Sequence, residues 1–515
     1  MSGPLWDPGP ACATREREYD VVIVGSGAGG GAVAKELVPL AKDGLRVAVL
    51  EWGPRFRDDE FTGRELDMAG KLYFDSGGFL TRDRSMTLAF ARAYGGSTVV
   101  YTGTSLTIKK RVVESWRIPD LGWEDLRHRS AKYIEENNVH LLLDEEVNEN
   151  NRLFLSGCRK LGYRVEQFPV NVQGCRGSGL CNLGCPNAAK QGTNRVQLPA
   201  AERGGVEVVT RCQVTRIGER WVEATVHPAG DFGLPPEWEP GRYRIRARAI
   251  VVAAGVVNSP SLLLASGFGD RLPALGRYLT VHPALILVGE HARRITNYHG
   301  HPKSYYCDHF EESDRFLLET CMYFPFTTAK NLAGFGAEPA ELLSAYERLQ
   351  MILVLALDRA DPENRVAVDR EGKPVVHYRV GEDVIRSLLA AMRASTRIFF
   401  AAGARRVHAP AAPAFFLHPE QANDLDRLID RRHFHLGRIS ISGAHLMGGC
   451  RMGTSPTDSV ANAWGEVHGC PWLFVADASL FPGAADINPY VTIMAFADRV
   501  AERVREKIRE LARAT

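Results

Sequence analysis

Tyr19-Asp20-Val21-Val22-Ile23-Val24 runs directly into Gly25-Ser26-Gly27-Ala28-Gly29-Gly30-Gly31. The first six residues are largely the apolar, β-branched kind that a strand buried on both faces requires. The next seven contain a G-x-G-x-x-G pattern at Gly25, Gly27 and Gly30. Glycine is needed where the chain turns tightly and where the backbone approaches a pyrophosphate with no Cβ in the way. A helical stretch, Ala32 to Leu40, follows. Free N–H groups and partial positive charge at its N-terminus suit phosphate. A second strand, Arg46-Val47-Ala48-Val49-Leu50, delivers Glu51 at its carboxyl end, where a carboxylate accepts hydrogen bonds from ribose hydroxyls. Strand, turn, helix, strand and acid in this order specify a dinucleotide site. They do not separate NAD from FAD.

Further motifs lie outward from this one. Arg92-Ala93-Tyr94-Gly95-Gly96-Ser97-Thr98 is a second glycine-rich turn. Ile250 to Gly255 is an apolar strand ending in small residues, followed by Asn258-Ser259-Pro260 and a helical Ser261 to Ser266. Near the C-terminus, Trp472 to Asp477 is a strand, and Asn488-Pro489 opens a helix. That helix carries Ile493, Phe496, Val500, Val504 and Ile508 at spacings of three and four, so one face packs inward. Its N-terminal dipole, beside Asn488, favours negative charge such as that on the pyrimidine edge of a reduced flavin.

Together these segments, from Tyr19 to about Glu510, resemble the glucose-methanol-choline (GMC) oxidoreductase family. The motifs that carry the resemblance include Gly255-Val256-Val257-Asn258-Ser259-Pro260 and Gly443-Ala444-His445-Leu446-Met447-Gly448-Gly449-Cys450-Arg451-Met452-Gly453. They recur in the family's order along nearly the whole chain. The resemblance implies FAD, held by Gly25, Gly27, Ala28, Gly30, Glu51, Gly95, Gly96, Ser97, Val214, Ala254, Asp477, Asn488, Pro489 and Val491. Some relatives attach FAD through a histidine after the second glycine turn. Val100 and its neighbours offer none, so the FAD is expected to be non-covalent.

Alcohol oxidation by a flavin needs a base to take the hydroxyl proton and a polar group to hold the hydroxyl. Histidine suits the first task because its ordinary pKa is near neutrality, and asparagine suits the second because its amide both donates and accepts. By resemblance the base is His445 and its partner Asn488. The plainer reading of a histidine is a hydrogen-bonded structural residue, and that of Asn488 before Pro489 is a helix cap. Hydroxynitrile lyases and a light-driven decarboxylase share the fold, so fold alone does not fix the chemistry.

Cys175, Cys181 and Cys185 fall within eleven positions, among Gly and Asn, with Pro186 after the last. No fourth zinc ligand is near, and a cysteine followed by proline is reminiscent of iron–sulfur loops. The spacing resembles that of bacterial FAD-dependent sugar dehydrogenases of the GMC family, which hold a 3Fe–4S cluster on three cysteines. It also resembles long-chain alcohol oxidases, whose Gly-Cys-x-x-x-Ala-Lys segment matches Gly184 to Lys190 without a metal. Tyr101, where many members have asparagine, is closer to the sugar-oxidising branch. The leading expectation is therefore oxidation of a sugar, amino sugar or polyol with electrons passed to an acceptor other than oxygen. An oxygen-using oxidase of long-chain or cyclic alcohols is the alternative.

The composition excludes other classes. With 63 basic and 61 acidic residues in 515, no field strong enough to hold nucleic acid arises. Pairs such as Arg431-Arg432 read as solvated surface. No segment reaches the roughly 20 apolar residues of a membrane span, and Met1 to Asp20 lacks a signal-like stretch, so a cytoplasmic location is expected. The expected architecture is α/β: a Rossmann-like FAD domain from residues 17–115, 195–285 and 441–510, and a substrate domain from 116–194 and 286–440. The second is expected to contain an antiparallel sheet, with Met351 to Leu357, Arg365 to Val368 and Pro374 to Val380 as strands and Gly381 to Ala402 as a helix behind it. Tyr305, Tyr306 and Asp308 cannot be placed inside or outside the pocket from sequence.

Overall fold

The computed structural model describes residues 9, 13–295, 297–332, 336–410, 415–435 and 439–513. Cys12 and most of the stretch before it lie outside the described residues.

The opening strand spans Arg15–Val24, exposed at its start and buried from Val21 onward. It pairs in parallel with Val47–Leu50 on one side and Gly241–Val252 on the other. Glu207–Val209 continues the parallel set beyond Val47–Leu50, and Cys470–Val475 continues it beyond Gly241–Val252. Antiparallel additions complete an eight-stranded sheet. Val24 lies opposite both Leu50 and Val252, and Val252 lies opposite Val475. Four strands therefore end level, and the residues just after them, Gly25, Glu51, Ala253 and Ala476, emerge along one edge. Ligands of open parallel sheets bind outside these carboxyl ends.

The helix after the glycine turn begins earlier than its apolar pattern suggests, at Ala28, and stops at Glu36. A second short helix, Val38–Lys42, takes over. Pro39 causes the break, because it has no N–H to donate into the preceding turn. Across Ala28–Glu36 packs the long C-terminal helix Tyr490–Arg513, burying Phe496, Val500, Val504 and Ile508 as its spacing predicts.

The second sheet has nine strands. Ala284–Glu290 lies at its centre, antiparallel to Leu349–Ala356 and Arg406–Ala409. Phe316–Thr320, Tyr305–Cys307 and Glu166–Gln167 follow beyond Leu349–Ala356. Ile441–Gly443 joins at Ala284 and pairs in parallel with Met86–Leu88, tying the segment that carries His445 to this sheet. The period of two sorts the side chains. Leu285, Leu287, Ile352 and Val354 join the core that includes the helix Glu382–Ala401, whereas Ala284, Ile286, Leu353 and Leu355 form the opposite face.

One expectation about this sheet is corrected. Arg365–Val368 and Pro374–His377 do form strands, but they pair with each other as a separate two-stranded hairpin. Asp369 closes its tip by accepting from the backbone N–H of Glu371 and Lys373, each at 2.9 Å.

Candidate active site

A cavity of about 1350 Å³ lies between the carboxyl edge of the parallel sheet and the Ala284–Leu355 face of the antiparallel one. Gly25, Gly27, Ala28, Glu51, Gly96, Ser97, Val214, Ala254, Asp477, Asn488, Pro489 and His445 all line it. Gly25 and Pro489, 464 positions apart in sequence, are thus brought to one surface. Gly30, Gly95 and Val491 are buried beside it and do not line it.

The floor is backbone. Gly25 has φ 97°, and a Cβ there would lie 2.4 Å from the carbonyl oxygen of Ala253, so no other residue fits. Gly96 has φ 53°, and its Cβ would lie 2.7 Å from Cα of Gly27. The two glycine turns therefore meet back to back. Ser26 joins them: its hydroxyl accepts from Gly95 N–H at 2.9 Å and donates to Glu51 Oε2 at 2.6 Å. Glu51 also accepts from the N–H groups of Ser26 and Gly53. Burial pushes its carboxyl upward, and these hydrogen bonds oppose the shift.

The adjoining strand ends are held by Asp477. Its Oδ2 accepts from Gly255 N–H at 2.8 Å and from Ser259 Oγ at 2.5 Å, and its Oδ1 accepts from Ser479 N–H at 2.8 Å. Asp477 and Glu51 thus order the turns at two strand ends, leaving a continuous groove along the edge. A dinucleotide fits this cradle: backbone lies where a pyrophosphate must approach closely, and a fixed carboxylate lies where ribose would be.

Deeper in the cavity, His445 Nε2 lies 3.3 Å from Asn488 Nδ2. The residual exposure of His445 faces the cavity, and burial together with the Lys303 ammonium pushes its imidazole down to about 3. It is therefore neutral throughout the physiological range and able to accept a proton. Asn488 is buried, and its Oδ1 has no hydrogen-bond partner among the described residues. Its side chain does not cap the final helix, whose first hydrogen bond runs from Ile493 N–H to Pro489 O. The pair therefore points into the cavity.

On its other side, His445 Nδ1 lies 3.2 Å from Nδ1 of His282. Lys303, ion-paired with the fully buried Glu319, also lines the cavity. Sequence reading passes over all three. The one local sign is that His282-Pro283 immediately precedes a buried strand. Aromatic side chains are the other omission: Phe74 stacks on Phe90 with centroids 4.9 Å apart, Phe79 lies edge-on to both at 5.6 Å, and all three line the cavity. Tyr305, Tyr306 and Asp308 are not among the lining residues. Tyr306 donates to Glu166, and Asp308 is ion-paired with Lys109 and Arg164.

Among the described residues, no group of three or more His, Cys, Asp or Glu side chains could hold a metal ion. Cys175, Cys181 and Cys185 share a loop without forming a ligand set, and none lines the cavity. What orders the loop is Lys190. Its buried ammonium donates to the carbonyls of Cys181, Val99 and Tyr101 at 2.6, 2.7 and 2.8 Å. Burial lowers it to about 8. The loop is thereby bound to the segment following the second glycine turn. Burial also raises the Cys181 thiol to about 12, the opposite of an activated thiolate.

No helix among the described residues is long and apolar enough to cross a membrane. Models of the GMC oxidoreductase N- and C-terminal regions match residues 20–284 and 360–497. The chain is 34% identical over 493 residues to an uncharacterised GMC-type oxidoreductase of Mycobacterium tuberculosis, covering 94% of this chain and 75% of that protein. It is 28% identical to a long-chain-alcohol oxidase of Arabidopsis thaliana, covering 93% of this chain and 66% of that one. Pyridoxine 4-oxidase from Mesorbium loti has the same fold, with a TM-score of 0.69, 18% identity and coverage of 95% and 99%. The chain belongs to the GMC oxidoreductase family.

Proposed function

We propose that this protein oxidises an alcohol CH–OH to an aldehyde or ketone with non-covalently bound FAD. When bound, FAD supplies the hydride acceptor. Gly25, Gly27, Gly96, Glu51, Val214, Ala254, Asp477 and Pro489 would hold it along the sheet edge, within the discontinuous domain 17–115, 195–285 and 441–510. The alcohol loses two electrons and two protons, one as part of the hydride and one from its hydroxyl. His445 Nε2 accepts the hydroxyl proton while Asn488 Nδ2 holds the oxygen. The single observation that carries this reading is the 3.3 Å separation of these two nitrogens in a cavity shared with the dinucleotide cradle. At that spacing one hydroxyl oxygen reaches both.

The substrate class we favour is an apolar, long-chain or cyclic alcohol, with oxygen as acceptor. Phe74, Phe79, Phe90, Ile286, Leu353 and Leu355 offer surface to a hydrocarbon and few partners to the hydroxyls of a sugar. The 28% identical relative named as a long-chain-alcohol oxidase points the same way. An iron–sulfur relay and a non-oxygen acceptor rest on the cysteine spacing alone, because no group of three or more His, Cys, Asp or Glu side chains among the described residues could hold a metal ion.

Anaerobic mixing with 1-dodecanol, a cyclic alcohol and glucose tests the reading. Bleaching of the flavin by the apolar alcohols, and peroxide on readmitting air, are expected. Bleaching by glucose alone would return the sugar reading to first place. His445→Ala should retain FAD and slow flavin reduction by about two to four orders of magnitude. A wild-type rate in that variant removes His445 from the base role.

A further inference from the structure

We propose that His282, backed by Glu319, is a positioning residue for His445, fixing its imidazole so that Nε2 stays bare and turned toward the substrate hydroxyl. This rests on the reading of His445 as the base.

The two histidines form a cross-strand pair. Thr280 and Met447 exchange backbone hydrogen bonds at 2.8 and 2.9 Å in an isolated antiparallel bridge. Two residues after Thr280 and two before Met447, the same register brings His282 opposite His445. The rings meet edge to face, at 89° with centroids 5.3 Å apart. The proline after His282 and the strand Ala284–Glu290 fix one partner. The strand Ile441–Gly443, bridged to Ala284, fixes the other.

Two neutral imidazoles with Nδ1 atoms 3.2 Å apart hold one proton between those atoms. If His445 carries it, Nε2 of His445 is a lone pair able to take the substrate proton. If His282 carries it, His445 is protonated at Nε2 and cannot act as base. The far side of His282 decides between these arrangements. Its Nε2 is buried with no hydrogen-bond partner among the described residues, and it bears the ring proton only in the first arrangement.

Glu319, fully buried on the strand Phe316–Thr320, lies in register with Leu353 and through it with Ile286, on the sheet face that also carries Ala284, and it bears on His282 as a negative charge. One of its oxygens is ion-paired with Lys303, and the other, Oε1, is buried without a hydrogen-bond partner among the described residues. A carboxylate on the Nε2 side of His282 favours N–H over a lone pair there, and we assign that place to Glu319, which selects the first arrangement. Asn488 Nδ2, a donor facing His445 Nε2, selects it as well. Arg315 opposes, but its guanidinium is turned to Asp486 and to the carbonyls of Leu357 and Asp358. Lys303, the cation that acts on His445 directly, is held by Glu319 itself. Once His445 has accepted the substrate proton, its Nδ1–H donates to His282, and Glu319 supplies the countercharge. The division of labour is that of a histidine base and its orienting acid, with a second imidazole inserted between them.

Ring nitrogen–proton correlation spectra of ¹⁵N-histidine-labelled holoenzyme test this directly, with the His445 signals assigned by their loss in His445→Ala. Wild type should show His445 protonated at Nδ1 and bare at Nε2. His282→Leu and Glu319→Gln should lose that pattern. Their anaerobic flavin reduction should slow by about 10²- to 10³-fold while substrate Kd stays within about twofold. His282→Asn, which offers an acceptor oxygen near the lost Nδ1, should stay within about tenfold of wild type. A wild-type His445 protonated at Nε2, or a His282→Leu enzyme with wild-type rate and pH profile, overturns the proposal. The two readings fail separately. Fast His445→Ala discards the base. Slow His445→Ala with fast His282→Leu discards only the positioning role.

Discussion

Two glycine-rich segments of this protein look alike on paper and do opposite work. In Gly25 to Gly31 the glycines are there for space: the turn lies against the next strand and a second turn, and a Cβ at Gly25 or Gly96 would collide with backbone. In Gly174 to Lys190 the ordering comes from a charge, because one buried ammonium collects three carbonyls and the cysteines are carried along. The first segment leaves an accessible surface of backbone on the cavity. The second closes a loop, and none of its three thiols lines the cavity. Glycine density marks a ligand site only where the missing side chains open onto a cavity.

That contrast can be broken most directly at Gly96. Gly96→Ala forces a Cβ against Gly27 and needs positive φ, so purified protein should lose most of its bound FAD, read as flavin absorbance per chain. Full occupancy would mean that the two turns do not form the cradle. On the other side, Lys190→Met strips three carbonyls, two of them buried and one half-buried, of their donor. At about 1–3 kcal/mol for each unmet group, the loss should be several kcal/mol in urea unfolding, with flavin still bound by the folded fraction. An unchanged midpoint would show that the loop is ordered by something else.

A smaller effect separates the regions by pH. His282 and His445 are both held near 3 by burial, against an ordinary value near 6.5. Below pH 6.5 the unfolded chain therefore binds protons that the folded one refuses. Stability should decline from pH 6.5 toward 4, by up to about 1 kcal/mol per pH unit for each histidine. Lys190, at about 8, does not titrate there. The decline should shrink in His282→Leu and persist in Lys190→Met, as followed by thermal melts. The smallest effect is expected from replacing Cys175, Cys181 and Cys185 together by serine. Flavin content and turnover should stay within about twofold. A collapse of turnover with normal flavin content would restore the thiols to the electron path.

How much of this was legible in the sequence depends on the range of the interaction. Tyr19 to Gly31 is readable because strand, turn and helix are neighbours along the chain, and each residue type answers a local demand. His445 and Asn488 are readable only through the resemblance of their surroundings. His282 is not readable at all: its partner is 163 positions away, and the pairing is set by one two-bond bridge. The hairpin Arg365–Val368 and Pro374–His377 illustrates the same limit. Alternation specifies that a segment is a strand, but which strand it pairs with depends on what else reaches the edge.

The sequence by itself determined the dinucleotide edge, because turn chemistry and hydrophobic period act over a few residues, and its motifs pointed by resemblance to the family and to His445 and Asn488. Only the tertiary structure decided the cavity's aromatic wall and the second histidine beside His445, and only it ordered the cysteine loop around Lys190. Those depend on side-chain direction and on contacts between distant segments, which spacing along the chain does not encode.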